Sequence, residues 1–121
     1  MKSNNKPKGN FGENLAAAYL TKKGYKIISR NFNSKFGEID IITVFKNILI
    51  FVEVKTRSGE QFGSPIEAVT PWKIKSITSC AQYFKLLHPT LPEAMQIDVI
   101  GINLSENGQV SQIQHLSNVT G

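Results

Sequence analysis

The sequence predicts a single α/β domain in the order helix, three strands, helix, then one or two further strands. Three observations carry this. Gly37–Phe45 and Ile48–Lys55 are rich in Ile, Val and Phe, and just Lys46-Asn47 lies between them, so they read as a tight hairpin. Helical periodicity precedes the hairpin at about Asn10–Lys23 and follows it at about Pro71–Leu87. The chain has 121 residues, 40% of them hydrophobic, which is one domain's worth. A chain of this size buries about two-thirds of its unfolded surface and needs no covalent staple.

Residues 1–8 hold three lysines among Ser3, Asn4, Asn5 and Pro7, and read as a flexible basic arm before a domain spanning 9–121. In the first helix Glu13, Ala16, Ala17 and Leu20 share a face, Leu15 and Tyr19 form an adjacent stripe, and Gly24 stands where a C-terminal cap belongs. Tyr25–Arg30 is a short strand. The hairpin follows, then a loop over Thr56–Gly63. Ser64-Pro65-Ile66-Glu67 writes a helix start, with serine as cap, proline in the first turn and glutamate three residues on. Thr70-Pro71 repeats that signal, so a break is expected before the second helix. Pro89 and Pro92 end it. Met95–Leu104 is a strand, and Gln109–Leu116, after the Asn107-Gly108 turn, is a weaker one.

Several classes are excluded. The longest apolar run, Ile48 to Val52, is far short of the ~18 residues of a membrane span. The lysines near Met1 lead into no apolar segment of the kind a secretory signal needs. One cysteine, Cys80, makes no internal disulfide and no structural zinc site, and behaves as a small buried hydrophobe. A cytoplasmic protein without a membrane partner is the expectation. Fourteen Lys+Arg against nine Asp+Glu give +5, a balance that suits a polyanionic partner.

The two aspartates, Asp40 and Asp98, both lie inside apolar runs, where a carboxylate is costly unless paired. With a two-residue turn at Lys46-Asn47, facing residues of the hairpin sum to 93. Asp40 then faces Glu53, Glu38 faces Lys55, and the period of two puts all four on one side of the sheet. Carboxylates about 5 Å apart repel by about 3 kcal/mol at an effective dielectric near 20. A proton, a lysine or a divalent cation must offset that. A hard cation suits paired carboxylates, with Lys55 placed to orient or deprotonate a water. An ordinary ion network, Lys55 bridging Asp40 and Glu38, is the plain alternative.

Gly37-Glu38-Ile39-Asp40, followed by Phe51-Val52-Glu53-Val54-Lys55-Thr56-Arg57, resembles the YraN-like family of small bacterial proteins. That family is similar to archaeal Holliday-junction resolvases and carries the PD-(D/E)XK nuclease pattern. The resemblance extends through Gly9 to Glu13, Phe62-Gly63-Ser64-Pro65, Glu67-Ala68-Val69 and Ile97-Asp98-Val99, covering roughly residues 9–104. It implies a restriction-endonuclease-like core of order αβββαβ, a mixed sheet flanked by two helices. It also implies that Asp40 and Glu53 are acidic ligands of Mg²⁺ or Mn²⁺, with the Val54 carbonyl as a third oxygen. Lys55 would be the catalytic lysine, and Glu13 the helix acid that binds the metal or holds its water. Two departures stand out. Asn10 and Phe11 occupy positions where the family often has basic residues, and Ile39 replaces the proline of the motif's name.

The leading expectation is a metal-dependent, structure-specific DNA endonuclease that cuts branched or duplex DNA with metal-activated water. By analogy with resolvases, it would be a homodimer. Lys35 and Arg57, flanking the site, and Lys73 and Lys75, at the start of the second helix, are the expected phosphate contacts. Trp72 is expected to pack, with stacking on a base as its alternative. Asp98 is expected to be structural, accepting a helix or loop hydrogen bond, and His88 and His115 to lie on the surface. Rival readings are a non-catalytic nucleic-acid-binding module in repair or recombination and, more remotely, a protein-interaction domain.

Overall fold

The computed structural model describes residues 7–59 and 65–121, with side chains from Phe11 onward in the first helix. The elements are α1 (Pro7–Lys22), β1 (Lys26–Ser34), β2 (Gly37–Phe45), β3 (Ile48–Ser58), a 3₁₀ turn (Pro65–Ala68), α2 (Pro71–Leu87), β4 (Met95–Leu104) and β5 (Val110–Leu116). The order matches the one expected. The first helix starts at Pro7, three residues earlier than Asn10. The remainder of the basic arm and the Ser64 cap lie outside the described residues.

Lys46 and Asn47 have φ of 53° and 64°, the left-handed pair that a two-residue hairpin turn requires. The turn sets the register: Phe45 pairs with Ile48, and the sum of 93 holds as far as Ile41–Val52. The sheet runs β1-β2-β3-β4-β5 and is mixed, since β3 and β4 are parallel while the other neighbours are antiparallel. Returning to a parallel partner needs a long crossover, and α2 provides it.

Alternation along β3 sends side chains to two layers. Ile50 and Val52 pack with Ala16 and Leu20 of α1, joined by Ile41, Ile100 and Ile102. Leu49 and Phe51 pack with Ile77, Cys80, Ala81 and Phe84 of α2, joined by Ile42 and Ile97. Each fully buried Ile, Leu or Phe contributes roughly 1.5–3 kcal/mol, so the central strands are the anchor of both layers. The expected break before α2 is present. After the 3₁₀ turn, Thr70 caps the helix, its Oγ1 accepting from the Lys73 N–H at 3.1 Å, with Pro71 in the first turn. His88 N–H closes the other end on the Phe84 and Lys85 carbonyls, both at 3.1 Å.

Two expectations about strand length are corrected. β1 runs on to Ser34 because its polar second half still pairs with β2, down to Ser34–Gly37. β3 runs on to Ser58 because Thr56, Arg57 and Ser58 pair with Ile102, Asn103 and Leu104 of β4.

Candidate active site

The candidate site forms where β2 and β3 part. Their ladder ends at Ile41–Val52, so Asp40 and Glu53, the next residues on each strand, are not a ladder pair. Instead the Asp40 carboxylate turns into the seam, where Oδ2 accepts the Val54 N–H at 2.8 Å. A side chain thus takes the place of a strand carbonyl. A local irregularity lies at the same place on both strands of the neighbouring pair. Asn31 of β1 has φ of 53°, and Ile39 and Ile41, two residues apart, pack into opposite layers. The strict period of two therefore fails at Asp40.

The four expected residues are not arranged as one row. Glu38 lies opposite Asn33 of β1 rather than Lys55, and its Oε2 accepts from Asn31 Nδ2 at 3.1 Å. The same amide donates to Glu13 Oε1 at 2.9 Å. Glu13 is further held by Arg30, whose Nη2 lies 3.6 Å from Oε1. The left-handed Asn31 thus ties the helix acid of α1 to the sheet, a role that nothing in the sequence pattern announced. Its one legible trace is an asparagine, a residue that tolerates positive φ, in a strand interior.

Glu13 reaches the sheet because of its neighbour. A Cβ at Gly12 would overlap Thr56 Oγ1 of β3, so glycine alone lets α1 lie this close. Burial and the Glu53 carboxylate push the Asp40 carboxyl up to about 8, against the opposing pull of the Val54 N–H. Glu13 and Glu38 push in the same direction. Glu53 is just 5% exposed, and burial raises its carboxyl also, resisted by Lys73, Lys55 and a hydrogen bond shared with Asp40. Two carboxyls sharing a hydrogen bond need one proton between them, so the pair titrates as a unit. Glu53 Oε1 is buried and has no hydrogen-bond partner among the described residues.

That orphaned oxygen beside a second, half-buried carboxylate is the donor chemistry a hard divalent cation takes. Among the described residues, no group of three or more His, Cys, Asp or Glu side chains is arranged to hold a metal ion, and Glu13 is engaged by Arg30 and Asn31. Lys55 is half-buried and bridges neither Asp40 nor Glu38 among the described residues, so the plain lysine network is not the one formed. Lys73, expected on a phosphate, is half-buried and acts on Glu53. Lys35 and Lys75 are exposed, and Arg57 is half-buried opposite Asn103 of β4.

Two expectations away from the site are corrected. His115 is not a surface residue. Its side chain is 9% exposed, and Nε2 donates to Asp98 Oδ2 at 2.8 Å, leaving Nδ1 to the Tyr19 hydroxyl at 3.3 Å. Asp98 itself is structural, as expected. Its Oδ1 accepts from the Asn118 N–H and from Gln96 Nε2, both at 2.9 Å. Trp72 does not pack into the core; it is 76% exposed.

Comparison with known proteins places this geometry in a family. Residues 12–102 match the family described as "Uncharacterised protein family UPF0102". The chain belongs to the UPF0102 family. This is the family the YraN-like resemblance pointed to. A UPF0102 protein of Syntrophomonas wolfei is 45% identical over 114 residues, which span 94% of this chain and 97% of that one. A UPF0102 protein of Caldanaerobacter subterraneus is 42% identical over 118 residues, 97% of each chain. One of Geobacter metallireducens is 41% identical over 118 residues, 98% of this chain and 95% of its own. The similarity thus covers Gly12, Glu13, Asp40, Glu53, Val54 and Lys55 together. No helix among the described residues is long and apolar enough to cross a membrane.

Proposed function

We propose that this UPF0102 protein is a metal-dependent DNA endonuclease of the PD-(D/E)XK type, acting on DNA of particular structure rather than sequence. The observation that carries the reading is half-buried Asp40 beside buried Glu53, whose Oε1 has no hydrogen-bond partner among the described residues. Mg²⁺ or Mn²⁺ fits that donor set, held by Asp40, Glu53 and the Val54 carbonyl. A cation so held would supply Lewis acidity, neutralising charge on the scissile phosphate and lowering the pKa of the attacking water.

The chain's own groups do the rest. The Val54 N–H fixes the Asp40 carboxylate in the seam, so one ligand is preorganised by the backbone. Lys55, two residues past Glu53 on the same strand, holds the water or stabilises the extra negative charge that develops on the phosphate. Glu13, set by Arg30 and Asn31, orients water at the edge of the site. Exposed Lys35 and Lys75 take the phosphate backbone, so sequence preference is slight.

A second reading keeps the binding and drops the chemistry. Its support is the engagement of Glu13 and Glu38 by Asn31 and Arg30, which resembles a structural network more than a ligand set. Cleavage assays with Mg²⁺ and Mn²⁺ on branched, duplex and single-stranded DNA separate the two. The nuclease reading expects cleavage that Lys55→Ala abolishes; binding without cleavage by the parent on every substrate favours the non-catalytic module.

A further inference from the structure

Beside the candidate site, but outside it, lies a groove of about 330 Å³ between the β1–β2 turn and the first turns of α2. Lys35, Phe36, Trp72, Lys75, Ser76 and Ser79 line it. Its volume is at the low end of the range for small-ligand sites, room for one or two flat groups. Two of its walls are aromatic rings left in water. Trp72 is 76% exposed and Phe36 39%. Lys35 Nζ sits 5.4 Å from the Phe36 ring centre, and Lys75 lines the same groove. Among the described residues no acidic side chain lines it.

The turn that carries Phe36 is held against the helix that carries Trp72. Ser76 Oγ donates to the Phe36 carbonyl, so the β1–β2 turn is pinned to α2. Gly37, with φ of 136°, permits the contact, because a Cβ there would press on Ser76 Oγ. Trp72 is mostly in water and Phe36, whose ring centre lies 5.9 Å from that of Tyr83, keeps part of its face there, so the apolar area left over gains free energy when an occupant covers it. Cations beside flat apolar rings match one kind of occupant, an anionic strand with unpaired bases. Bases stack on rings without regard to sequence while lysines take the phosphates. A fully paired duplex hides its base faces and would leave both rings idle.

We propose that the Phe36–Trp72 groove is a stacking subsite for unpaired nucleotides, which makes the substrate of the neighbouring site DNA with a single-stranded segment next to the cut. The second half of that statement rests on the nuclease reading above. Phe36, in the turn just before β2, is four residues from Asp40, at most about 13 Å of extended chain, or about four stacked nucleotides at ~3.4 Å each. Lys73, next to Trp72, acts on Glu53, so the first turn of α2 borders both the groove and the acids.

Trp72 is the sole tryptophan, so its emission reports stacking directly. In EDTA, where no cleavage is expected, a (dT)₁₂ oligonucleotide should quench Trp72, and a blunt duplex of the same length should not. Labelled-oligonucleotide anisotropy should show about tenfold or greater loss of (dT)₁₂ affinity for Trp72→Ala and for Phe36→Ala, with Trp72→Phe restoring most of it. Quenching with these losses supports the subsite. Binding without quenching, equal quenching by the blunt duplex, unchanged affinity in both alanine variants, or no binding of (dT)₁₂ overturns it. Because the assay needs no metal, it is independent of the chemistry. A parent that stacks (dT)₁₂ but cuts nothing would end the nuclease reading alone, and one that cuts duplex DNA with Trp72→Ala unaffected would end the subsite alone.

Discussion

Replacing Asp40 with asparagine should stabilise the metal-free protein at neutral pH, although the residue is half-buried and hydrogen-bonded. An amide oxygen can still accept the Val54 N–H that Asp40 Oδ2 accepts at 2.8 Å, so the local geometry survives. What disappears is a carboxyl whose burial beside Glu53 raises it to about 8. The sign follows from proton binding. A group raised on folding binds its proton more tightly in the folded chain, so its contribution is fully present below the ordinary carboxylate range near ~4. It is lost as pH rises toward and through about 8. The limiting slope is about 1.4 kcal/mol per pH unit, which gives about 3 kcal/mol between pH 5 and pH 7.

Urea unfolding in EDTA at pH 5, 6, 7 and 8 reads this directly. The parent should lose stability with pH across that range, and Asp40→Asn should stay nearly flat and overtake it by pH 7. Millimolar Mg²⁺ or Mn²⁺ should then raise the parent alone, by about 1.4 kcal/mol at ten times the dissociation constant. A parent flat in pH and indifferent to both metals, with Asp40→Asn weaker at every pH, would refute the reasoning and leave a structural ion network in its place.

Further outcomes follow from other contacts. Gly12→Ala should lower the urea midpoint by the equivalent of about 1–3 kcal/mol, because the new methyl meets Thr56 Oγ1 and α1 must lift from β3; an unchanged midpoint would mean that the helix is not held there. His115→Ala removes one partner of a buried pair and should destabilise by about 3 kcal/mol while leaving DNA affinity intact, as thermal melts and anisotropy would show. Lys75→Ala should reduce the slope of log affinity against log salt by about 0.7–0.9, one phosphate contact, whereas half-buried Lys73→Ala should leave that slope nearly unchanged.

Much of this architecture is legible in the residues, and for identifiable reasons. β2 and β4 are bounded as expected because continuous Ile and Val runs in doubly covered strands leave little ambiguity. The hairpin register is legible because its turn has two residues and no room for another solution. The pairing of Asp40 with Glu53 is legible just in part. Register arithmetic brings them to the same rung, but it assumes that the strands stay together, and they separate after Ile41–Val52. Asn31, which redirects this corner, carries no chemical motif. His115 was hidden by distance, its partners lying 17 and 96 residues away. A signal existed, since a buried Asp98 demands a donor and β5 carries a histidine. Trp72 misled because a large apolar ring beside a helix start reads as core, and burial is not encoded in the identity of one residue.

The left-handed Asn31 has a meaning for the outer rim of the molecule as well. β1 is a terminal strand of the sheet, and such a strand offers a row of free backbone donors and acceptors to any passing chain. An intruding strand needs a flat, regular partner. β1 is not one: its pairing slips between Ile27 and Ser29, and four residues after Ile27 the backbone turns through positive φ. The irregularity that brings one amide between Glu13 and Glu38 also denies the sheet a straight border along which copies could zip together. At this edge, resistance to strand addition and the shaping of the acidic corner are served by the same few dihedral angles.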